Sequence, residues 1–299
     1  MTCAIRTNGL TKKFRRTPVL EGLDMEVPNG SIYGLVGTNG AGKTTTIKIL
    51  MNIFPPTGGH SEVLDVDSRR LSPGQFAQIG YVSENQEMPG WMTVGYFLNY
   101  LSHFYPTWDR ALAAELVRQF QLPLDRKLRQ LSHGMRMKAA LASSLAYRPK
   151  LMVLDEPFTG LDALVRDELI EGFLPRAENT TIFISSHDLT EIESFASHIG
   201  YLDRGRLQFS EELDTLSGRF REIVVTFDAA PQLPREWPAN WLQQEAGGAV
   251  VRFIETRFDQ ERTAVDVRRF FPGCRDMVVS AMPLRSIFVT LAKAGRTAD

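Results

Sequence analysis

The sequence predicts an α/β fold with a parallel sheet at its core, followed by a smaller α+β domain. In the first part of the chain, short apolar stretches of strand length alternate with helical stretches. Several of these strands end in glycine-rich or polar residues, which is typical of a parallel sheet with a ligand at its carboxyl edge. From about residue 221 strands and helices continue, but the strands no longer end in such glycine-rich or polar residues. The predicted domains span residues 1–218 and 219–299.

Length and composition exclude several classes of protein. The chain has 299 residues, of which 43% are apolar and 23% charged, and its net charge is −1. No basic block stands out, so binding to nucleic acid is not expected. No signal-peptide core or membrane-spanning run is visible, and Cys3 and Cys274 lack metal-ligand spacing. We expect a cytoplasmic protein that reaches any membrane through a partner.

The chain opens with a pair of predicted strands that includes an unusually placed aromatic residue. Residues 4–30 alternate like two strands joined by a turn. Phe14 lies in the polar run 11–16, where an aromatic side chain invites stacking by a purine ring. The alternative is that Phe14 closes the edge of a sheet.

A glycine-rich turn follows the predicted strand 31–36 and leads into a predicted helix. It reads Gly37, Thr38, Asn39, Gly40, Ala41, Gly42, Lys43, Thr44 and Thr45. A strand, the pattern G-x4-G-K-T and a helix together form the setting of a phosphate-binding loop, in which backbone N–H groups surround an anion. We expect Lys43 to reach the β- and γ-phosphates of a nucleoside triphosphate and the Thr44 hydroxyl to ligate Mg²⁺.

Two later strands end in residues suited to phosphate chemistry. Asp155 and Glu156 follow the apolar strand 151–154, and His187 follows the strand 180–186. A carboxylate at a strand end can hold Mg²⁺, which assigns that role to Asp155. Glu156 is placed to polarise an attacking water as a general base.

The region between these strands is expected to be mainly helical. Aromatic residues are dense from Trp91 to Trp108, and Phe97, Tyr100 and Phe104 fall on one face of a predicted helix. That stripe is either core or, in part, a docking surface for another protein. Ser132 stands at the N-cap of a second helix.

With these motifs in view, residues 4–218 resemble the ATP-binding cassette (ABC) ATPases. The matching features occur in family order: Phe14, 37–45 (Walker A), 79–86 (glutamine loop), 131–135 (signature), 151–156 (Walker B with its glutamate), 160–162 (D-loop) and His187 (switch histidine). The resemblance implies a P-loop fold in which an antiparallel β subdomain and a helical signature subdomain accompany the parallel sheet.

The family also implies how ATP is held. Two subunits meet head to tail, and each ATP lies between the Walker A of one subunit and the signature of the other. Ser132 and Gly134 would then contact a γ-phosphate from the start of a helix. His187 would bind the γ-phosphate and hold water near Glu156, and Asp162 would cross the interface.

The sequence departs from the family pattern at two places. The glutamine position holds Glu84, which can still ligate Mg²⁺, while Gln86 can take the role if the loop is shifted. The signature reads Leu-Ser-His-Gly-Met, so that His133 replaces a glycine and can change how tightly the two subunits close.

The resemblance favours the ATPase subunit of a transporter, most like those of ABC-2-type exporters. Its implied cofactors are ATP and Mg²⁺, and its implied partners are a separately encoded integral-membrane permease and a second ABC ATPase, identical or different. It would then lie on the inner face of the cell membrane. The alternative is a soluble ABC ATPase acting on nucleic acid or ribosomes, but no long coiled coil or second Walker A is visible.

The segment after residue 218 is predicted as an accessory domain that regulates or stabilises the dimer. Strands are expected at 222–227, 249–254 and 276–281, and helices at 259–271 and 283–294. The segment 237–241, with two tryptophans, is expected to serve packing.

Overall fold

A computed structural model describes residues 2–176 and 179–296. The chain forms two compact units, of which the first runs to Ser210 and the second begins at Glu211. This division falls earlier than the predicted boundary at residue 218, because the helix Leu213–Arg219 belongs to the second unit.

The strands are numbered along the chain. They are β1 (Cys3–Phe14), β2 (Thr17–Pro28), β3 (Ile32–Val36), β4 (Gly58–Val63), β5 (Val66–Asp67), β6 (Ile79–Ser83), β7 (Leu151–Asp155), β8 (Thr181–Ser186), β9 (His198–Asp203), β10 (Arg206–Glu212), β11 (Arg221–Phe227), β12 (Trp241–Gly247), β13 (Val250–Glu255) and β14 (Cys274–Ala281).

The α-helices are numbered in the same way. They are α1 (Lys43–Leu50), α2 (Pro73–Phe76), α3 (Val94–Ser102), α4 (Arg110–Gln119), α5 (His133–Leu145), α6 (Ala163–Phe173), α7 (Leu213–Arg219), α8 (Gln260–Phe270) and α9 (Leu284–Arg296).

The predicted parallel core is confirmed as a six-stranded sheet in the order β10-β9-β3-β8-β7-β6. The pairs β9–β3, β3–β8, β8–β7 and β7–β6 are parallel. Every residue of β7 and β8 is buried, as their aliphatic sequences require in a sheet covered on both faces. Val36 pairs with Ser186 and Asp155 pairs with Ser185, so the carboxyl ends of β3, β7 and β8 meet at one edge.

Strands from the beginning of the chain form a second, four-stranded sheet in the order β2-β1-β4-β5, and its strand pairs are antiparallel. Its inward residues share one core with the parallel sheet and α1, including Leu10, Leu35, Ile47 and Val153, each 0% exposed. Helices α3, α4 and α5 pack together as a helical region. Ser132 is the N-cap of α5, since its Oγ accepts a hydrogen bond from the Met135 N–H at 3.3 Å.

The second unit has an antiparallel sheet in the order β12-β13-β11-β14. Helix α8 contributes Val267 to a core that contains Trp241 and Phe253, whose rings stack with centroids 4.0 Å apart. The expectation that the segment 237–241 serves packing agrees with this position: Trp241 is 1% exposed and Trp237 packs against it. Strand β12 was missed by the sequence analysis, because after Trp241 its residues are mostly exposed and polar.

Candidate active site

A cavity of about 500 Å³ opens at the carboxyl edge of the parallel sheet. It is lined by Val19, Asn39, Gly40, Gly42, Lys43, Thr44, Thr45, Glu84, Glu156, Thr159 and His187. Most of these are residues that the sequence singled out, contributed by the β3–α1 turn and by the ends of β6, β7 and β8. The parallel sheet therefore brings together motifs that are far apart in the chain.

The glycine-rich turn wraps around the side chain of Lys43. Gly42 has a φ of 113° and no room for a side chain, because a Cβ there would lie 2.7 Å from Leu20 Cδ2. The Lys43 ammonium donates to the carbonyl oxygens of Gly37 and Thr38 at 2.6 and 3.2 Å. Ala41, 2% exposed, closes the turn with a hydrogen bond from its N–H to Thr38. Lys43 is thus positioned at the cavity by the backbone around it.

Thr44, in the first turn of α1, contacts Asp155 at the end of β7. Thr44 Oγ1 donates to Asp155 Oδ1 at 3.0 Å, and the buried Ser185 hydroxyl donates to the same oxygen at 2.7 Å. Burial raises the pKa of Asp155, although the hydrogen bonds from Ser185 and Thr44 oppose that shift. Ser185 also accepts the Glu156 N–H at 3.0 Å, so one hydroxyl fixes both members of the acidic pair.

Glu156 is bound by the side chains of Lys43 and His187. Lys43 Nζ lies 3.1 Å from its Oε1, and His187 Nδ1 lies 2.7 Å from its Oε2. Burial by itself raises the pKa of Glu156, but the hydrogen bond from His187 and the charge of Lys43 outweigh burial and lower it. The hydrogen bond to Glu156 in turn raises the pKa of His187. Because a carboxylate accepts here, Nδ1 of His187 carries a proton.

The residues at this edge fit a magnesium ion held together with phosphates. Thr44 Oγ1 and Asp155 Oδ1 are hard oxygen ligands within 3.0 Å of each other, and Mg²⁺ in nucleotide sites takes few protein ligands beside phosphate oxygens and water. Within residues 2–176 and 179–296, no group of three or more His, Cys, Asp or Glu side chains forms a metal cluster. The two oxygens of Thr44 and Asp155 suit a magnesium ion whose remaining ligands are phosphate oxygens and water.

The structure separates Glu84 from Gln86. Glu84 lines the cavity, and its N–H donates to the Asp155 carbonyl at 3.0 Å. Gln86 instead lines an adjacent cavity of about 640 Å³, to which Glu84 also contributes. The position nearer the Walker residues is thus taken by the carboxylate.

Phe14 lies outside the set of residues that line the 500 Å³ cavity. Its ring is 41% exposed, packs edge-to-face on Phe54 with centroids 5.5 Å apart, and has Lys12 Nζ 4.9 Å from its centroid. Val19, which the sequence analysis did not single out, does line that cavity. The role of Phe14 in stacking a purine stays a prediction.

The signature and D-loop residues lie away from the cavity of their own chain. Ser132 is exposed at the start of α5, and a Cβ on Gly134 would lie 2.8 Å from Val165 Cγ1. Asp162 is the N-cap of α6 and accepts the Val165 N–H at 2.9 Å. None of the three is among the residues that line the cavity holding Lys43.

The aromatic stripe on α3 divides between core and surface. Phe97 is 7% exposed, whereas Trp91, Tyr96, Tyr100 and Phe104 are 43–64% exposed. The four exposed rings form two contacting pairs, Trp91 with Tyr96 at 5.9 Å and Tyr100 with Phe104 at 5.0 Å between centroids. We call these four residues the aromatic patch.

Some residues at the site have only a weak signal along the chain and were not predicted. Ser185 and Thr159 are common residue types next to recognised motifs, and only their contacts with Asp155 and Glu156 reveal their position. Val19 belongs to an ordinary strand pattern and reaches the cavity because β2 lies beside the turn.

Fold and cavity together define the class of protein. A parallel sheet, a G-x4-G-K-T turn between β3 and α1 and an acidic pair at the end of β7 make this chain a P-loop ATPase.

Comparisons with known proteins identify the family. The family described as "ABC transporter" matches residues 20–159. The chain is 38% identical over 284 residues to the daunorubicin/doxorubicin resistance ATP-binding protein DrrA of Streptomyces peucetius, covering 89% of this chain and 81% of that one. It is 28% identical to the ABC transporter ATP-binding protein YtrB of Bacillus subtilis (strain 168) over 97% and 98% of the two chains. The chain belongs to the ABC transporter ATP-binding proteins.

A solved structure supports the same assignment. The ATP-binding subunit of an ABC transporter superposes with a TM-score of 0.65 at 26% identity, covering 73% of this chain and 92% of that one. Among the described residues, no helix is both long and apolar enough to cross a membrane.

Proposed function

We propose that this chain is the ATP-hydrolysing subunit of an exporter, working as a head-to-tail dimer beneath a separately encoded membrane permease. The observation that supports the proposal is the convergence of Lys43, Glu156 and His187 on one cavity, beside the hydrogen-bonded pair Thr44 and Asp155. This set can position a triphosphate, accept a proton from water and hold the base in one orientation.

Within the site each residue has a distinct task. Lys43 and the N–H groups of the turn bind the phosphates, which compete with Glu156 for the lysine ammonium. Thr44 and Asp155, with Glu84 close by, hold Mg²⁺. When bound, Mg²⁺ supplies positive charge against the β- and γ-phosphates.

Glu156 is proposed as the general base. Its pKa is lowered while Lys43 and His187 both hold it, so transfer of Lys43 to phosphate leaves it a better proton acceptor. His187 keeps one of its oxygens in place through the 2.7 Å contact.

The dimer is proposed because the signature residues lie away from the cavity of their own chain. A complete ATP site would then need the cavity of one subunit and the signature segment of another. Ser132 and Gly134 lie at the start of α5, outside the cavity of their own chain. A helix N-terminus favours a negatively charged group, so this segment suits the γ-phosphate held by a second subunit, whether an identical copy or another ABC ATPase. Asp162, at the start of α6, would lie at the same interface.

The aromatic patch is proposed as the docking surface for the permease. Trp91, Tyr96, Tyr100 and Phe104 are large and exposed on the helical region, and the centres of protein interfaces are enriched in such residues. The patch adjoins a groove of about 490 Å³ lined by Phe97, Leu101 and Tyr105 among others. Docking there would place the protein on the inner face of the cell membrane.

Export is proposed from the relatives. The Streptomyces peucetius protein is named for resistance to daunorubicin and doxorubicin, and this chain resembles it over most of both lengths. ATPases that confer resistance are expected to drive outward transport, which also agrees with the ABC-2-type resemblance of the sequence.

Membrane sedimentation tests the docking proposal. The variants Tyr100→Asp and Phe104→Asp should move the protein from the membrane pellet to the supernatant of expressing cells, because a buried charge without a partner opposes docking. Basal ATPase activity of the purified protein should stay unchanged.

A matched control is available for that experiment. Val265 is 62% exposed on α8 in the second unit. The Val265→Asp variant should therefore sediment with the membranes to the same extent as the parent protein. Patch variants that sediment like the parent would contradict the docking surface.

A further inference from the structure

The signature segment has a histidine, His133, at the position where the family pattern has a glycine. His133 is the first residue of α5, and its Nε2 lies 3.1 Å from the carbonyl oxygen of Thr159. Since a carbonyl can only accept, Nε2 carries the proton and donates. A glycine at this position has no side chain with which to make the contact.

Thr159 is bound on its other side to Glu156. Its hydroxyl donates to Glu156 Oε2 at 3.2 Å, and its N–H donates to the Glu156 carbonyl at 3.3 Å. Oε2 is the same oxygen that His187 holds at 2.7 Å. Thr159 therefore fixes the backbone and the side chain of Glu156 together.

The backbone of Glu156 needs such support. Its φ of 51° lies in the left-handed region, which is costly for a residue with a side chain and is maintained only when neighbouring contacts hold it. The turn from Glu156 to Gly160 also packs beside the His133 ring, because a Cβ on Gly160 would lie 3.8 Å from His133 Cδ2.

Thr159 also lies between two cavities. It lines the 500 Å³ cavity with Lys43 and Glu156, and it lines the adjacent 640 Å³ cavity with His133 and Arg136. Thr159 thus contacts both His133 at the start of α5 and Glu156 at the catalytic cavity.

We propose that His133 is a positioning residue that couples the signature segment to Glu156 of the same chain through Thr159. This inference rests on the proposed function. In the head-to-tail dimer, the signature of one subunit contacts the ATP held by its partner, whereas Glu156 serves the ATP of its own chain. The contact from His133 to Thr159 therefore links the two ATP sites through a single subunit.

A mixed dimer separates this role from direct contact with ATP. One copy carries Glu156→Gln, so that only the Glu156 of the other copy can hydrolyse ATP. His133→Gly is then placed either in the copy with the active Glu156 or in the copy that supplies the signature to the active site. The two copies carry different affinity tags, and kcat and KM for ATP are measured on the doubly purified dimer.

Coupling through Thr159 predicts an effect from the copy with the active Glu156. In that copy, His133→Gly should lower kcat roughly three- to ten-fold, the scale of one lost hydrogen bond, with little change in KM. His133→Gln should restore most of the rate, because the glutamine amide can donate to the same carbonyl. Thr159→Val in that copy should lower kcat to a similar extent.

His103 offers a matched control, since its Nδ1 contacts the Asn99 carbonyl at 2.7 Å on the same helical region. His103→Gly should leave kcat unchanged. The coupling would be overturned if His133→Gly, placed in the copy with the active Glu156, gave the same kcat as the mixed dimer with native His133 in both copies. This holds even if the other placement lowers the rate. If the dimer with native Glu156 and native His133 in both copies does not hydrolyse ATP, the proposed function itself fails.

Discussion

Each unit has a glutamate with little exposure to solvent, Glu156 at 13% and Glu255 at 0%, but the hydrogen-bond partners of the two carboxylates differ in kind. Glu156 in the first unit is bound by two ionisable side chains, Lys43 and His187, at the wall of a cavity. Glu255 in the second unit is 0% exposed, and within the described part of the chain its oxygens accept from Trp241 Nε1, Asn240 Nδ2 and a backbone N–H, at 2.7–2.9 Å.

This difference distinguishes a reactive carboxylate from a structural one. Partners that are themselves charged and face a cavity can be transferred to an incoming phosphate, so the bonds of Glu156 are exchangeable. The neutral donors around Glu255 lie in a packed core, where an unpaired donor is costly. Burial alone therefore does not identify a functional acid, whereas the nature of its partners does.

The largest expected effect is on catalysis, from Glu156→Gln. This change should lower kcat by about 10²–10⁴, the usual contribution of a general base, while ATP binding is retained. Steady-state ATPase assays and nucleotide titration measure the two properties separately.

Glu255→Gln is the matched substitution, because it makes the same chemical change in the glutamate of the second unit. It should leave kcat of the folded protein unchanged. Hydrolysis at the wild-type rate by Glu156→Gln would refute the general-base role and remove the distinction between the two acids.

The next effect is on stability, from Glu255→Ala. Removing the carboxylate leaves the N–H groups of Trp241 and Asn240 without their acceptor, which should cost roughly 2–4 kcal/mol of unfolding free energy. Urea denaturation followed by tryptophan fluorescence reports it, since Trp241 lies in this core.

Glu245 on β12 is exposed and serves as the control. Glu245→Ala should change the unfolding free energy by less than about 0.5 kcal/mol. Equal effects of the two substitutions would show that the buried hydrogen bonds of Glu255 add little to stability.

The smallest effect is a pH-dependent one, from His187→Ala. Because the pKa of His187 is raised in the folded protein, its stabilising contribution is complete below the unfolded value of about 6.5 and is lost as the pH rises through the folded value. The substitution should therefore lower the unfolding temperature at pH 6 and have little effect at pH 9.

The magnitude is limited because the His187 side chain is 39% exposed, so solvent screening keeps its contribution below about 1 kcal/mol. The lowered pKa of Glu156 keeps that partner charged at pH 6. In a Glu156→Gln background the pH dependence should disappear. Its persistence there would assign it to another group.

Some elements were predictable because their patterns are local. The strands β3, β7 and β8 are apolar runs bounded by polar residues, and α5 begins at the N-cap Ser132 as predicted. Strand β12 was not predictable, since its polar residues at the edge of a sheet do not alternate with apolar ones. The compact units divide at Ser210 and the predicted domains at residue 218, and the two positions differ by the segment that includes α7.

By itself the sequence determined the phosphate-binding turn, the acidic pair and the order of the motifs, because each depends on a few residues in a fixed local setting. Only the tertiary structure decided which partners those residues take. Lys43 binds Glu156, Ser185 fixes Asp155, and His133 reaches Thr159. These contacts depend on how separate strands and helices are aligned in the sheet and on its faces, and that alignment is set by the packing of the whole core.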